Sequence, residues 1–275
     1  MSADSTRQYG LSMVELLVAM ALGLLLTVGA LQMMLASQQL YDTTDSQSRI
    51  QENGRFALDF LSRELSKASY RTETEESPPN QTFLTESCAG NNACTEDTTG
   101  LAGDQIAAVF KPRIAKPALP AGFDPEDLRD CTGSNNNVGE NDIIANVFYV
   151  ATTDNGISAL YCRGFNLNPE INSWIGVGQP LVDGVESLQI LYRVDTGGSF
   201  SSYVSADDVT DWAAVSAIRV AVLVNNGQEI GSGNLETRTF TLLDAGPFSL
   251  TDKHERQVYS TTITLNNVIY DNSGQ

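Results

Sequence analysis

The chain has 275 residues, 41% of them apolar, enough for one large domain or two small ones with a packed core. Its net charge is −18, with 34 acidic side chains against 16 Lys and Arg. A surface this acidic repels phosphate backbones and the basic residues are scattered, which argues against nucleic-acid contact by the domain itself.

Residues 1–10, "MSADSTRQYG", form a short polar leader ending in Gly10. Leu16 to Leu31 then contains only apolar residues, two glycines and one threonine, and no charge appears before Asp42. About twenty apolar residues span a bilayer as a helix, so residues 11–40 are long enough to cross one. A secretory signal peptide would need a basic start, a shorter apolar core and a small-residue cleavage site. Only Arg7 and the amino terminus supply positive charge, Ala36-Ser37-Gln38 is a weak cleavage site, and the run is too long. A plain signal anchor is the simplest account of the segment, but it leaves Glu15 unexplained. A carboxylate at the head of a hydrocarbon span is expensive and calls for a partner.

Residues 41–70 turn polar and then amphipathic. In "RIQENGRFALDFLSRELSKASY", Ala57, Leu61, Leu65 and Ala68 recur at helical spacing with Leu58 beside them, while Arg63, Glu64 and Lys67 fall off the stripe. Gly54 is expected to interrupt this helix and mark a bend. A continuous helix from Leu11 to Tyr70 would measure about 90 Å at 1.5 Å per residue. No heptad repeat is sustained, which argues against a coiled coil.

Residues 71–142 are rich in Pro, Gly, Asn, Thr and acids, and read as an irregular, disulfide-pinned region with one strand, "QIAAVFK". The four cysteines are Cys88, Cys94, Cys131 and Cys162. None forms a C-x-x-C pair and His254 is the single histidine, so a zinc site is not expected. In an oxidising compartment three pairings are possible. The short flexible loop in "CAGNNAC" favours Cys88–Cys94, leaving Cys131–Cys162; four free thiols fit only a cytoplasmic domain. The acidic runs "ETEE" (73–76) and "DDVTD" (207–211) read as solvated surface, since neither has calcium-loop spacing.

Residues 143–275 are β-rich. "IIANVFYVA" and "ISALYCRG" flank Asn155-Gly156 and read as a hairpin that brings Cys162 near Cys131. In "ESLQILYRV", Leu188, Ile190 and Tyr192 share one face and Gln189, Leu191 and Arg193 the other. Trp212 reads as a core anchor behind a turn capped by acids. His254, in "DKHER", reads as solvent-facing rather than catalytic. No nucleophile–base arrangement and no phosphate or dinucleotide loop is present, so no catalytic residue, metal or cofactor is expected. The chain reads as a structural or interaction protein rather than an enzyme.

The order Gly10, Leu11, Ser12, Met13, Val14, Glu15, Leu16 resembles the type III signal of type IV prepilins. The resemblance implies that a membrane peptidase cuts between Gly10 and Leu11 and methylates the new N-terminus on Leu11. It also implies that Glu15 pairs with the N-terminus of an adjacent subunit. Physics gives this order its sense. Glycine lets a protease approach the backbone, and the cut creates an amine one helical turn from Glu15.

Further along, "QENGRFALDFLSREL", "LVDGVESLQILYRVD", "YVSADDVTDWAAVSAIRVAVLV", "TFTLLD" and "RQVYSTTITLNN" resemble the PilW family of minor pilins. That resemblance implies an α+β, pilin-like fold, with a long N-terminal helix packed on a C-terminal antiparallel sheet domain. It implies insertion in the inner membrane with the C-terminal domain in the periplasm, then a place at the pilus tip. The implied partners are the prepilin peptidase, other minor pilins, the major pilin, a large tip adhesin and inner-membrane lipid. The implied roles are pilus assembly, twitching motility, attachment or DNA uptake. A type II secretion minor pseudopilin would share the N-terminal signal but not these later blocks. A membrane-anchored periplasmic ligand-binding protein or enzyme would keep Gly10 uncut and need a polar pocket.

Overall fold

The computed structural model describes residues 12–68, 82–88, 94–111, 129–139, 142–195, 202–227 and 235–265. Ala, Leu and Met, strong helix formers, dominate the N-terminal run and drive one helix, α1, over Met13–Leu65. The chain divides into two compact units, Met1–Asp45 and Ser46–Gln275, and α1 contributes to each.

Within the second unit, α1 buries one stripe. Ala57, Leu61 and Leu65 are fully buried, as is Ala68 just beyond the helix, and Leu58 packs at the margin. The i, i+4 and i, i+3 spacing that predicts the stripe is the spacing that lines these side chains up. Glu64 departs from the expectation that it lies off the core. It is only 7% exposed, because Oε2 accepts a hydrogen bond from Asn146 Nδ2 (3.2 Å) and Oε1 pairs with Lys67 Nζ (2.7 Å). Asn146 Oδ1 in turn accepts from the Cys131 N–H (3.0 Å). A buried carboxylate with both oxygens engaged avoids most of the desolvation cost it would otherwise meet.

Gly54 also departs from expectation. The helix continues through it without interruption. A Cβ on Gly54 would instead collide with the Tyr259 ring, and glycine is what admits that ring against the helix backbone. At an open helical position, Gly→Ala gains about 1 kcal/mol. Gly54→Ala is expected to reverse that sign and cost about 1–2 kcal/mol through overpacking. Chemical denaturation of the full chain in detergent reads the difference, and a more stable variant contradicts the close approach.

Two antiparallel sheets complete this unit. The first contains β1 (Ile106–Phe110), β2 (Ile144–Thr152), β3 (Ser158–Asn166), β4 (Ser173–Trp174) and β5 (Gln179–Asp183), ordered β1-β2-β3 with β4 and β5 both paired to β3. The β2–β3 hairpin pairs Thr152 with Ser158 across the Asn155-Gly156 turn. β1 supplies the strand expected in the irregular region, and it joins the same sheet.

The second sheet contains β6 (Val185–Val194), β7 (Ser202–Val204), β8 (Val215–Asn225) and β11 (Arg256–Thr264), ordered β11-β8-β6-β7. A separate ribbon pairs β9 (Glu236–Leu242) with β10 (Ala245–Asp252). β8 is apolar on both faces because both are covered. Ile218, Val220, Val222 and Val224 join the main core with Leu61 and Leu65, while Ala221 and Leu223 meet Leu242 and Phe248 of the ribbon.

β6 alternates as expected on one face: Leu188, Ile190 and Tyr192 enter the core. Gln189, on the other face, is 1% exposed because the segment before β1 covers it. Leu188 N–H donates to Ala102 O (3.1 Å), and the Asp104 N–H donates to Leu188 O (2.7 Å). Gly103 holds φ +81° there, and a Cβ on it would strike the Leu188 carbonyl oxygen. Asp104 completes the dock: its carboxylate accepts from Ile190 N (2.7 Å) and Thr98 N (3.1 Å), with only 4% of the residue exposed.

Candidate assembly site

The N-terminal unit carries the candidate site. From Met13 to Tyr41 every side chain of α1 is exposed, including Leu16, Leu17, Met20, Leu24, Leu25 and Leu31. Exposed apolar surface on this scale marks a membrane or protein contact. This is the one helix among the described residues long and apolar enough to cross a membrane.

Serine and threonine hydroxyls along it are turned back on the backbone. Thr27 Oγ1 donates to Gly23 O (2.7 Å) and Ser37 Oγ to Met33 O (2.9 Å). Thr43 and Thr44 repeat the pattern onto Gln39 O (2.9 Å) and Leu40 O (2.8 Å). No hydroxyl in this set needs water as a partner, which suits an apolar surround.

The helix start is built by Ser12. Its Oγ accepts the Glu15 N–H (3.2 Å) and its carbonyl accepts the Leu16 N–H (3.2 Å). Ser12 therefore occupies the N-cap, and Glu15 falls in the first turn, where the helix dipole favours a negative group. "SMVE" also has the serine-to-glutamate spacing of a capping box, a signal that sequence reading of this stretch passed over. Glu15 is exposed and is the one charged side chain between Met13 and Tyr41. Gly10 and Leu11, the expected cleavage and methylation positions, lie outside the described residues.

The other singled-out residues lie elsewhere. Cys88 is bonded to Cys94 (Cα–Cα 5.7 Å) and Cys131 to Cys162 (6.3 Å), both within the second unit. Trp212 opens a 3-10 turn and meets Tyr192 and Phe83 edge-on, with centroids 4.8 and 5.8 Å away; Asp211 caps that turn by accepting from Ala213 N (2.9 Å). Asp207 and Asp208 lie in a separate short turn, and no cluster of metal-ligand type occurs among the described residues.

His254 is half-buried rather than solvent-facing, because its neighbours form a charged knot. The His254 N–H donates to Asp252 Oδ1 (2.9 Å). Arg256 forks between Asp252 (2.7 and 2.6 Å) and Glu186 (2.9 Å at Oε1). Hydrogen bonding from Arg256 holds the Asp252 carboxyl down at about 2. Burial acts the other way on Asp104 and pushes its carboxyl up to about 7, reinforced by the neighbouring Asp97 against the pull of the two backbone donors.

An exposed apolar helix headed by one carboxylate, joined to an antiparallel sheet domain, defines a type IV pilin made as a prepilin. Family comparison agrees in two places: residues 5–31 match the prokaryotic N-terminal methylation motif, and residues 147–267 match the type IV pilus-assembly protein W, PilW. Together the two matches support a type IV pilus minor pilin processed as a prepilin and similar to PilW over residues 147–267. No curated protein gives a significant match. PilW proteins are structural components of the pilus; the chain is membrane-anchored through α1, is processed by the prepilin peptidase and works among other pilins.

Proposed function

We propose that the chain enters the inner membrane with its leader in the cytoplasm and its sheet domain in the periplasm. The peptidase cuts between Gly10 and Leu11 and methylates the amine of Leu11. The helix then leaves the bilayer for a bundle of pilin helices, where Glu15 pairs with the N-terminus of a neighbouring subunit and sets the axial register. The chain joins other minor pilins, the major pilin and a large adhesin in a tip complex that primes assembly and supports twitching, attachment or DNA uptake.

One observation carries this reading. On the exposed apolar stretch of α1 from Met13 to Tyr41, where Thr27 and Ser37 bond back to the helix's own carbonyls, Glu15 alone has charge to offer a partner. The two disulfides support an oxidising compartment for the domain. Mass spectrometry of the mature protein tests the first step. The expected N-terminus is methylated Leu11, and an intact leader ending in Gly10 would sink the reading.

A further inference from the structure

An unpaired sheet edge exposes a row of backbone donors and acceptors, and proteins protect such edges with short strands, charges, prolines or cover. The described edges of the domain follow this rule with one exception. β1 is covered by the segment before it: Leu84 N–H donates to Ala107 O (2.9 Å) and Val109 N–H to Thr82 O (3.0 Å). β5 carries Pro180, and β7 has only 3 residues. The ribbon carries Glu236 and Arg238 on β9, and Pro247 and Asp252 on β10.

β11 is the exception. It has 9 residues and pairs with β8 on one side, and no described strand or bridge pairs with the other side. From Gln257 to Leu265 it reads "QVYSTTITL", β-prone, without proline and without charge, in a chain of net charge −18.

The free groups can be assigned. Leu265 N–H donates to Ser216 O, so that pair is hydrogen-bonded toward β8. Antiparallel pairs alternate, so Ile263, Thr261, Tyr259 and Gln257 also bond toward β8. Val258, Ser260, Thr262 and Thr264 then turn their N–H and C=O groups outward.

We propose that this outer edge of β11 receives an extended, uncharged segment of a different subunit of the tip complex as an added strand. The complement of such an edge is another strand, because backbone hydrogen bonds supply the affinity. The missing charge argues against a partner recruited by salt bridges. β11 also carries Tyr259 against Gly54 of α1, so the added strand continues the surface beside the amphipathic half of the helix. The inference rests on the pilin reading and deepens it.

Ser260→Pro and Thr262→Pro each remove an outward donor and leave the β8 ladder whole. Ser260→Lys adds edge charge and keeps every backbone group. All three are expected to lower incorporation into purified pili at least about tenfold, the factor that about 1.4 kcal/mol supplies. Leader removal and melting temperature in detergent should match the parent chain. A photo-crosslinker at Ser260 should label an extended segment of another pilus protein. If Ser260→Lys folds and incorporates like the parent chain, the edge proposal fails. A crosslink only to a second copy of this chain, or a purified dimer that Ser260→Lys dissociates, overturns it as well. An uncut leader in the parent chain strikes the pilin reading instead, which the same mass spectra distinguish.

Discussion

Replacing Glu15 with alanine is expected to leave membrane insertion and leader removal intact while lowering incorporation into pili by roughly ten- to a hundredfold. The size follows from the interaction removed. A hydrogen bond to a charged group contributes about 1.5–3 kcal/mol, and each 1.4 kcal/mol is a factor of ten. Insertion should survive, because alanine in the first turn makes the segment more apolar and the Ser12 cap remains. Glu15→Gln separates charge from shape: it keeps the acceptor oxygen and should recover only part of the loss. The measurement is the ratio of this chain in sheared pili to that in the membrane. Normal incorporation of Glu15→Ala, in cells where this chain is the sole PilW-like protein, would refute the pairing role.

The second large effect concerns pH. The raised value of Asp104 means that folding favours its protonated form. Its stabilising contribution is fully present below the unfolded carboxylate range near pH 4 and is lost as pH rises through about 7. Each unit of separation corresponds to 1.36 kcal/mol, so the loss across that window is about 2–4 kcal/mol. Asp104→Asn keeps the oxygen that accepts from the Ile190 or Thr98 N–H and cannot ionise. Its stability relative to the parent chain should therefore rise between pH 4.5 and pH 8, on top of a pH-independent cost for the one N–H its amide nitrogen cannot accept from. Asp252 acts in the opposite window. Its lowered value gives stability present above the ordinary carboxylate range and lost as pH falls toward about 2. Denaturant midpoints of the full chain at pH 3, 5 and 8 should show both limbs. A parent chain as stable at pH 8 as at pH 5, with Asp104→Asn parallel to it, would contradict the assignment.

Much of the assembly segment was legible in sequence because its signals are local. The span is a matter of length and apolarity, and the Gly10-to-Glu15 spacing is a linear pattern. Strand positions were legible for the same reason: alternation in β6 and the Asn155-Gly156 turn act over a few residues. What sequence missed are properties of approach between distant segments. Gly54 looks like a helix breaker until Tyr259, far along the chain, is placed over it. Glu64 looks like a surface charge until Asn146 reaches it. Gln189 shows nothing of its burial until the Gly103 turn closes over that face of β6. The capping role of Ser12 was within reach of sequence, since the serine-to-glutamate spacing of "SMVE" carries it.

The hydroxyls of Thr27, Ser37, Thr43 and Thr44 have a further consequence for travel between environments. Each spends its hydrogen bond on a carbonyl one turn back, so its pairing moves with the helix. Passing from lipid to a packed protein surround then leaves these four hydroxyls paired, and none of them has to find a new partner on arrival. Lipid tails and neighbouring leucines are nearly equivalent solvents for such a surface. The apolar half of the helix is in this sense portable, and the specificity of where it comes to rest falls to Glu15, the one charged side chain between Met13 and Tyr41.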